Sequence, residues 1–283
     1  MSTSTLSRTR EREDEAPRTR GAALVTGAAR GIGSAIAEAI GGAGWDVAVN
    51  YRSSDEAAAA VVERIRAEGR RAVAVAADVT APDAAARAVA EAEERLGPLD
   101  LLVNNVGDFF FKPLGATTDE EWRHVVDSNL SSAFFTSRAV LPGMRERRRG
   151  CIVNIGLGPA QLVRGAPNIA AYAVAKTGIV VLSMSMAAEE APYRIRVNCV
   201  SPGLIDTGYL PPEQADWMLK RVPMGRMGRP EEVAEAVVFL ASERASYISG
   251  ANLAVSGGWD WQNRPTDHDG DVTRLFLGEE RHG

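Results

Sequence analysis

Two side chains in the middle of the sequence have the spacing needed for proton transfer. Tyr172 and Lys176 are four residues apart within 171–190, a stretch of helix length, so the phenol and the ammonium share one helix face. A free phenol has a pKa near 10, and a neighbouring ammonium lowers that pKa because it favours the phenolate. The pair predicts a tyrosine that donates a proton to a carbonyl group or accepts one from an alcohol.

A glycine-rich turn lies near the start of the chain. Residues 26–33 read Thr-Gly-Ala-Ala-Arg-Gly-Ile-Gly and join a short apolar run to a stretch of helix length. Glycines in such a turn allow backbone N–H groups and the helix N-terminus to approach a pyrophosphate. We therefore predict dinucleotide binding by Gly27, Arg30, Gly31, Ile32 and Gly33.

The second apolar run ends without the acidic residue that selects NAD. Dinucleotide folds that select NAD place Asp or Glu there, where it holds the ribose 2′-hydroxyl, whereas residues 47–54 read Val-Ala-Val-Asn-Tyr-Arg-Ser-Ser. Asn50 removes the negative charge, and Arg30 and Arg52 can pair with a 2′-phosphate. We predict NADP(H) as the cofactor rather than NAD(H), with Arg52 and Ser53 among its contacts.

Short runs rich in Val, Leu and Ile alternate with stretches of helix length between the two ends of the chain. Continuous apolar runs, each followed by a helix, indicate a parallel sheet covered on both faces. Right-handed crossovers then give a Rossmann-type, doubly wound α/β fold with a mostly parallel seven-stranded sheet and ligands at the carboxyl ends of the strands. The predicted strands are 22–26, 46–50, 72–76, 100–104, 151–155, 195–200 and 252–255, and the predicted helices are 31–43, 55–68, 82–96, 119–144, 171–190 and 230–242.

The composition is typical of a globular cytoplasmic protein. The net charge of −5 over 283 residues argues against a nucleic-acid partner, because binding a polyanion needs a basic face. No apolar stretch approaches the roughly 20 residues of a membrane span, and neither the two cysteines nor the three histidines have the spacing of metal ligands. We expect a metal-free domain over 21–261, a disordered extension over 1–20 and a polar tail over 262–283.

Several further motifs, in order, resemble those of the short-chain dehydrogenase/reductase family. They follow the glycine-rich turn and extend the match over about residues 21–261. They are Asp78-Val79, Asn-Asn-Val-Gly at 104–107, Asn129 within Ser-Asn-Leu, Tyr-x-x-x-Lys at 172–176, and Pro-Gly-Leu-Ile-Asp-Thr at 202–207. Within the family, the sequence most resembles the bacterial 3-oxoacyl-carrier-protein reductase and glucose dehydrogenase branches.

This resemblance implies roles for the matching residues. Tyr172, Lys176 and Asn129 would be catalytic, with Asn129 anchoring a proton-relay water. Besides the residues already named, the cofactor contacts implied are Asp78, Val79, Asn105, Gly107, Tyr172, Lys176, Pro202, Gly203, Ile205 and Thr207.

One residue of the family pattern is missing. The family normally has a serine just after the fifth strand, where it bonds the substrate carbonyl and the tyrosine. Alignment from the strand places Leu157 at that position, counting back from Tyr172 reaches Pro159, and residues 138–176 contain no Ser or Thr. Gln161 is the substitute donor that we consider first, and an unreplaced donor costs ~10²–10³ in turnover.

Three functions are compatible with these residues. In the first, which we favour, Tyr172 protonates the carbonyl of a bulky, partly apolar small molecule, and another donor replaces the serine. In the second, the substrate is a C=N compound such as an iminium or a pterin-like ring, for which the serine matters less. In the third, the protein binds NADPH without turnover as a sensor or scaffold. The presence of Asn129, Tyr172 and Lys176 together argues against the third.

The surroundings of the site also follow from the resemblance. In this fold residues 208–229 lie above the nicotinamide and commonly form a substrate lid, and their apolar side chains suggest a bulky substrate. We therefore assign Tyr209, together with Leu157 and Gln161, to the substrate. The helices predicted over 119–144 and 171–190 are the surfaces through which this family usually forms dimers and tetramers, so we expect a homo-oligomer.

Overall fold

A single parallel sheet runs through the part of the chain that the structure describes. The structure is a computed structural model. It describes residues 19–158, 165, 167–208 and 212–259, with the backbone alone at 212–214 and 217. The sheet order is β3-β2-β1-β4-β5-β6-β7, and the strand order reverses between β1 and β4. The strands are β1 (Ala22–Val25), β2 (Asp46–Tyr51), β3 (Ala72–Ala76), β4 (Leu99–Asn104), β5 (Gly150–Ile155), β6 (Ile195–Pro202) and β7 (Asn252–Val255).

Both faces of the sheet are buried, which explains the continuous apolar runs. In β1, Ala23 and Val25 face one hydrophobic layer, whereas Ala22 and Leu24 face the other. The first layer is closed by α1, α2 and α8, and the second by α3, α5 and α6. The helices are α1 (Gly31–Gly42), α2 (Asp55–Ala67), α3 (Pro82–Leu96), α4 (Asp119–Val126), α5 (Ser132–Arg147), α6 (Ala170–Glu190), α7 (Pro212–Leu219) and α8 (Pro230–Ala241). The predicted doubly wound architecture is confirmed.

The helix predicted over 119–144 is interrupted. A π-helical turn, Asp127–Ser131, separates α4 from α5, and α5 continues to Arg147 with Pro142 inside it. An extra residue in a helix leaves its repeating hydrogen bonds locally out of step, and such bulges are often found at functional sites. This one contains Asn129.

Helix α6 crosses the second face of the sheet and carries both residues of the predicted proton-transfer pair. By length and composition alone, the segment Ala170–Tyr193 could span a membrane. Its buried residues Ile179, Ser183 and Met186, however, lie against the rest of the domain. This burial is what a core helix of a globular domain requires.

Both cysteines of the sequence lie in central strands. Cys151 in β5 and Cys199 in β6 are buried and unpaired, and burial raises the pKa of each thiol to about 11. The thiols therefore remain protonated near neutral pH and pack as small apolar side chains.

The expectations for the two ends of the chain lie largely outside the described residues. The extension predicted over 1–20 is described only at residues 19 and 20, and the tail predicted over 262–283 is not described. The single domain over 21–261 stays a prediction.

Candidate active site

A cavity of about 500 Å³ opens at the carboxyl ends of the strands, where the sheet order reverses. This is the position at which open α/β sheets bind their ligands. All predicted catalytic and cofactor residues line it, and so does Leu157. Two of the three predicted substrate residues, Gln161 and Tyr209, lie outside the described residues.

The glycine-rich turn forms one end of the cavity. Gly27 and Gly31 have φ angles of +61° and +58°, in the left-handed region that favours glycine. A Cβ at Gly33 would collide with the Gly27 carbonyl oxygen and the Asn105 amide nitrogen. Helix α1 therefore starts close to β1 and β4 with its N-terminal N–H groups at the cavity, which fits a bound pyrophosphate.

Asn50, which we expected to matter mainly as an uncharged residue, braces the glycine-rich turn. Its side chain is buried. The amide oxygen accepts a hydrogen bond from Gly27 N at 3.3 Å, and the amide nitrogen donates to the carbonyls of Val75 and Ala77 at 3.2 and 3.1 Å. A carboxylate could not donate these two bonds. Asparagine is therefore required by the packing as well as compatible with a 2′-phosphate.

The adenosine end of the cavity carries opposite charges. The Arg52 guanidinium is 3.9 Å from the Asp78 carboxylate, and both side chains are about half exposed. Burial raises the pKa of Asp78, but hydrogen bonds from the Thr80 hydroxyl and backbone N–H, together with nearby Arg52, lower it overall. An anionic Asp78 beside Arg52, Arg30 and Ser53 gives this end of the cavity a polar wall.

Tyr172 and Lys176 project from the first two turns of α6 into the other end of the cavity. The Lys176 ammonium lies 5.8 Å from the centre of the Tyr172 ring and donates a 2.8 Å hydrogen bond to the Ile155 carbonyl. Burial lowers the pKa of Lys176 to about 8 and raises the pKa of Tyr172 to about 12. The predicted lowering of the tyrosine pKa is therefore not found. Burial dominates because the ammonium is bonded to Ile155 rather than to the phenol.

Asn129 completes this end of the cavity from the π-helical turn. Its amide nitrogen donates to the carbonyls of Asp108 and Val125 at 2.7 and 3.0 Å, and its buried amide oxygen has no protein hydrogen-bond partner. A Cβ at Gly107 would collide with that oxygen and would lie 3.2 Å from the Lys176 ammonium. A buried acceptor, a cation and a bare stretch of backbone therefore meet beside Tyr172, as a site for a polar ligand requires.

A protein-family model described as enoyl-(acyl carrier protein) reductase matches residues 27–260. The chain belongs to the short-chain dehydrogenase/reductase family. As a member of this family it is an oxidoreductase. It is 39% identical over 239 residues to the 3-oxoacyl-acyl-carrier-protein reductase FabG of Staphylococcus aureus, with 83% of this chain and 96% of that relative covered.

Solved structures agree with the family assignment. A putative short-chain alcohol dehydrogenase from Sinorhizobium meliloti superposes with a TM-score of 0.81 at 37% identity, covering 85% of this chain and 96% of that one. A blue fluorescent protein from a metagenomic library, in complex with NADPH, superposes with a TM-score of 0.79 at 34% identity, covering 85% and 98% of the two chains.

Leu157, which alignment from the strand predicts at the family's serine position, lies just after β5. Backbone bonds from Gly156 N to Val200 O and from Gly158 N to Pro202 O continue the pairing of β5 with β6 on both sides of it. Leu157 thereby lines the cavity and packs against an apolar cluster of Leu204, Met218, Val222 and Trp259. Asn154, in the strand just before Leu157, bonds Asn104 and Ser183 in the interior.

Sequence reasoning missed several residues of the cavity wall. Asp108 directly follows the Asn-Asn-Val-Gly segment, and this position was a usable signal for it. Trp259 comes from a distant part of the chain, and only the fold brings it to Leu157. The wall residues not assigned from sequence include Tyr51, Ser54, Thr80, Asp108, Ser128 and Trp259.

Proposed function

We propose that the protein reduces the carbonyl group of a bulky, partly apolar small molecule with NADPH, and that Tyr172 donates the proton. The observation that carries this proposal is the convergence of Tyr172, Lys176 and Asn129 in one cavity with the glycine-rich turn. A protein that only binds a nucleotide has no need for this group at the far end of the cavity.

NADP(H) suits the polar end of this cavity. Helix α1 and Gly31 would hold the pyrophosphate, and Arg30, Arg52 and Ser53 would surround the 2′-phosphate. The family relationship and the NADPH-bound neighbour support the same cofactor. When bound, NADPH supplies the hydride.

The residues of the chain supply the proton and orient the substrate. At a pKa of about 12, Tyr172 is fully protonated near neutral pH and can donate from its hydroxyl to the developing alkoxide. The Lys176 ammonium lies 5.8 Å from the centre of the Tyr172 ring, and positive charge beside the tyrosine would stabilise the negative charge that develops in the transition state. The buried amide oxygen of Asn129 has no protein hydrogen-bond partner and would hold the water that the family resemblance implies.

Leu157 favours one second candidate, reduction of a C=N group. A protonated imine is positively charged before the reaction, so no negative charge develops on it. A hydroxyl at position 157 would therefore not stabilise the transition state. A panel that includes a cyclic imine beside ketones separates the two candidates.

The proposal is tested with Tyr172→Phe, because phenylalanine keeps the ring and removes only the proton. We expect ketone turnover to fall by at least ~10² while the Kd for NADPH stays unchanged. NADPH oxidation measures turnover, and fluorescence titration measures the Kd. Tyr193→Phe, far from the cavity, is the matched control and should behave as the wild type. Near-normal ketone turnover in Tyr172→Phe would refute the proposed role of the tyrosine.

A further inference from the structure

Phe109 lies directly against the tyrosine to which we assign the proton. The two rings meet edge to face, with 4.9 Å between centroids and an interplanar angle of 77°, a favourable geometry for an aromatic pair. Phe109 is nevertheless 48% exposed and lines the cavity. One side of the ring therefore supports Tyr172, and another side is open to a bound molecule.

The backbone around Phe109 is held on both sides. Before it, the Asp108 carbonyl accepts a 2.7 Å bond from the Asn129 amide. After it, Lys112 N donates a 2.7 Å bond to the Asn168 carbonyl. The ring therefore stands on an anchored segment, which makes it suited to fixing the orientation of a neighbour.

A second apolar wall belongs to the same cavity. Leu157 packs on Leu204, Met218 and Trp259, and those three side chains are at most 8% exposed. All four line the cavity together with Phe109 and Tyr172. The arginines at the polar end of the cavity suit a phosphorylated nucleotide. The apolar end suits an uncharged, apolar group.

We propose that Phe109 and the second apolar wall, formed by Leu157, Leu204, Met218 and Trp259, enclose a slot for an aromatic group attached directly to the reacting carbonyl. We also propose that Phe109 positions Tyr172. This inference rests on the proposed carbonyl reduction. A flat ring exposes its faces and edges to two apolar walls at once, whereas a methyl group in the same place contacts little of either. Phe109 is a positioning residue for the reaction and a specificity residue for the substrate.

Two esters that differ only in the group on the ketone carbon provide the test. Ethyl benzoylacetate carries a phenyl group, and ethyl acetoacetate carries a methyl group. We expect kcat/KM to be at least about tenfold higher for the phenyl compound in the wild type. Phe109→Ala should remove most of that preference, mainly by raising KM for the phenyl compound.

The positioning role is tested with the methyl compound, which does not depend on the slot. Phe109→Ala should lower its kcat by about threefold or more with little change in KM, because Tyr172 loses the ring that supports it. Phe109→Tyr keeps an aromatic ring and should restore both the preference and kcat. Phe110→Ala, at the next residue of the same segment, is the matched control and should retain the wild-type preference.

The result that would refute the slot differs from the result that would refute the proposed carbonyl reduction. Equal use of the two esters by the wild type, or an unchanged preference in Phe109→Ala, refutes the slot but leaves carbonyl reduction intact. An unchanged kcat for the methyl compound in Phe109→Ala refutes the positioning role. If neither these esters nor any other ketone of the panel is reduced, the proposed function fails. The slot is then judged by calorimetric binding of acetophenone to the NADP⁺-saturated protein, and equal Kd values for wild type and Phe109→Ala refute it.

Discussion

Lys176 combines a buried position with a charge that the protein can lose in an accessible pH range. Burial lowers the pKa of its ammonium to about 8, so the side chain is charged below that pH and neutral above it. The reduction needs the cation beside Tyr172, whose own pKa of about 12 keeps it protonated throughout. We therefore expect kcat/KM for ketone reduction to be level below about pH 8 and to fall above it.

The pKa of Lys176 can also be measured without turnover. NMR titration of lysine side chains labelled with ¹³C should show one resonance, absent from Lys176→Met, that titrates near pH 8. A value near the ordinary lysine pKa of about 10.4, or a rate that stays level to pH 10, would contradict this prediction.

We expect the side chain at position 157 to influence how the cavity binds a carbonyl oxygen, because Leu157 lines the cavity. We expect Leu157→Ser to place a hydroxyl within the wall shared with Tyr172 and to raise kcat/KM for small aliphatic ketones by about tenfold. Leu157→Ala is the matched control, since it creates the same space without a donor. Equal rates for the two variants on these ketones would show that a donor at this position has no effect.

At the scale of secondary-structure elements, we propose that the loops after β1 and β2 set cofactor choice. Since the Asn50 side chain braces the glycine-rich turn, we expect discrimination between NADPH and NADH to depend on Arg52 and Arg30. We expect Arg52→Ala to weaken NADPH binding about tenfold while leaving NADH binding nearly unchanged. Arg87→Ala, on the exposed side of α3, is the control. Equal losses for NADPH and NADH in a titration would contradict the role of Arg52.

The strands and most helices could be predicted from sequence because apolar runs report burial directly. Strand ends differ from the predictions by at most two residues, as in β6, which continues to Pro202. The π-helical turn at Asn129 could not be predicted, because one extra residue in a helix barely changes the apolar periodicity. Helix α7, shorter than the stretches that periodicity identifies, lies inside the segment that we had treated as a lid.

In the candidate site, too, some residues could be predicted from the sequence, whereas the contacts of others depend on packing. The cavity residues that stand in motifs were found, since glycines, Tyr172 and Lys176 have recognisable spacing. The direction in which Asn50 points and the partner of Lys176 depend on atoms from β3 and β5, and no local pattern reports those neighbours. The apolar surroundings of Leu157 likewise come from α7 and from the residues after β7.

At the scale of the whole molecule, α5 and α6 leave large apolar side chains exposed. Val174, Val181 and Met184 on α6 are 55–57% exposed, and Phe134 on α5 is 42% exposed. Apolar patches of this kind mark protein interfaces, and a second copy of the same surface is the simplest partner. We expect the double substitution Val181→Glu and Met184→Glu to convert a homo-oligomer to a monomer in light scattering. Leu114→Glu, at an exposed residue elsewhere, should not change the mass, and an unchanged mass in the double variant would place the interface on another surface.

The two buried thiols make the protein convenient for site-specific labelling. Cys151 and Cys199 are the only cysteines in the sequence, both are sequestered in the sheet, and a thiol with a pKa of about 11 presents almost no thiolate to an alkylating dye at neutral pH. A single cysteine introduced by Lys220→Cys, at an exposed residue just after α7, would therefore take up a fluorophore without removal of the native cysteines. Such a probe would report on the segment over the apolar end of the cavity as cofactor and substrate bind.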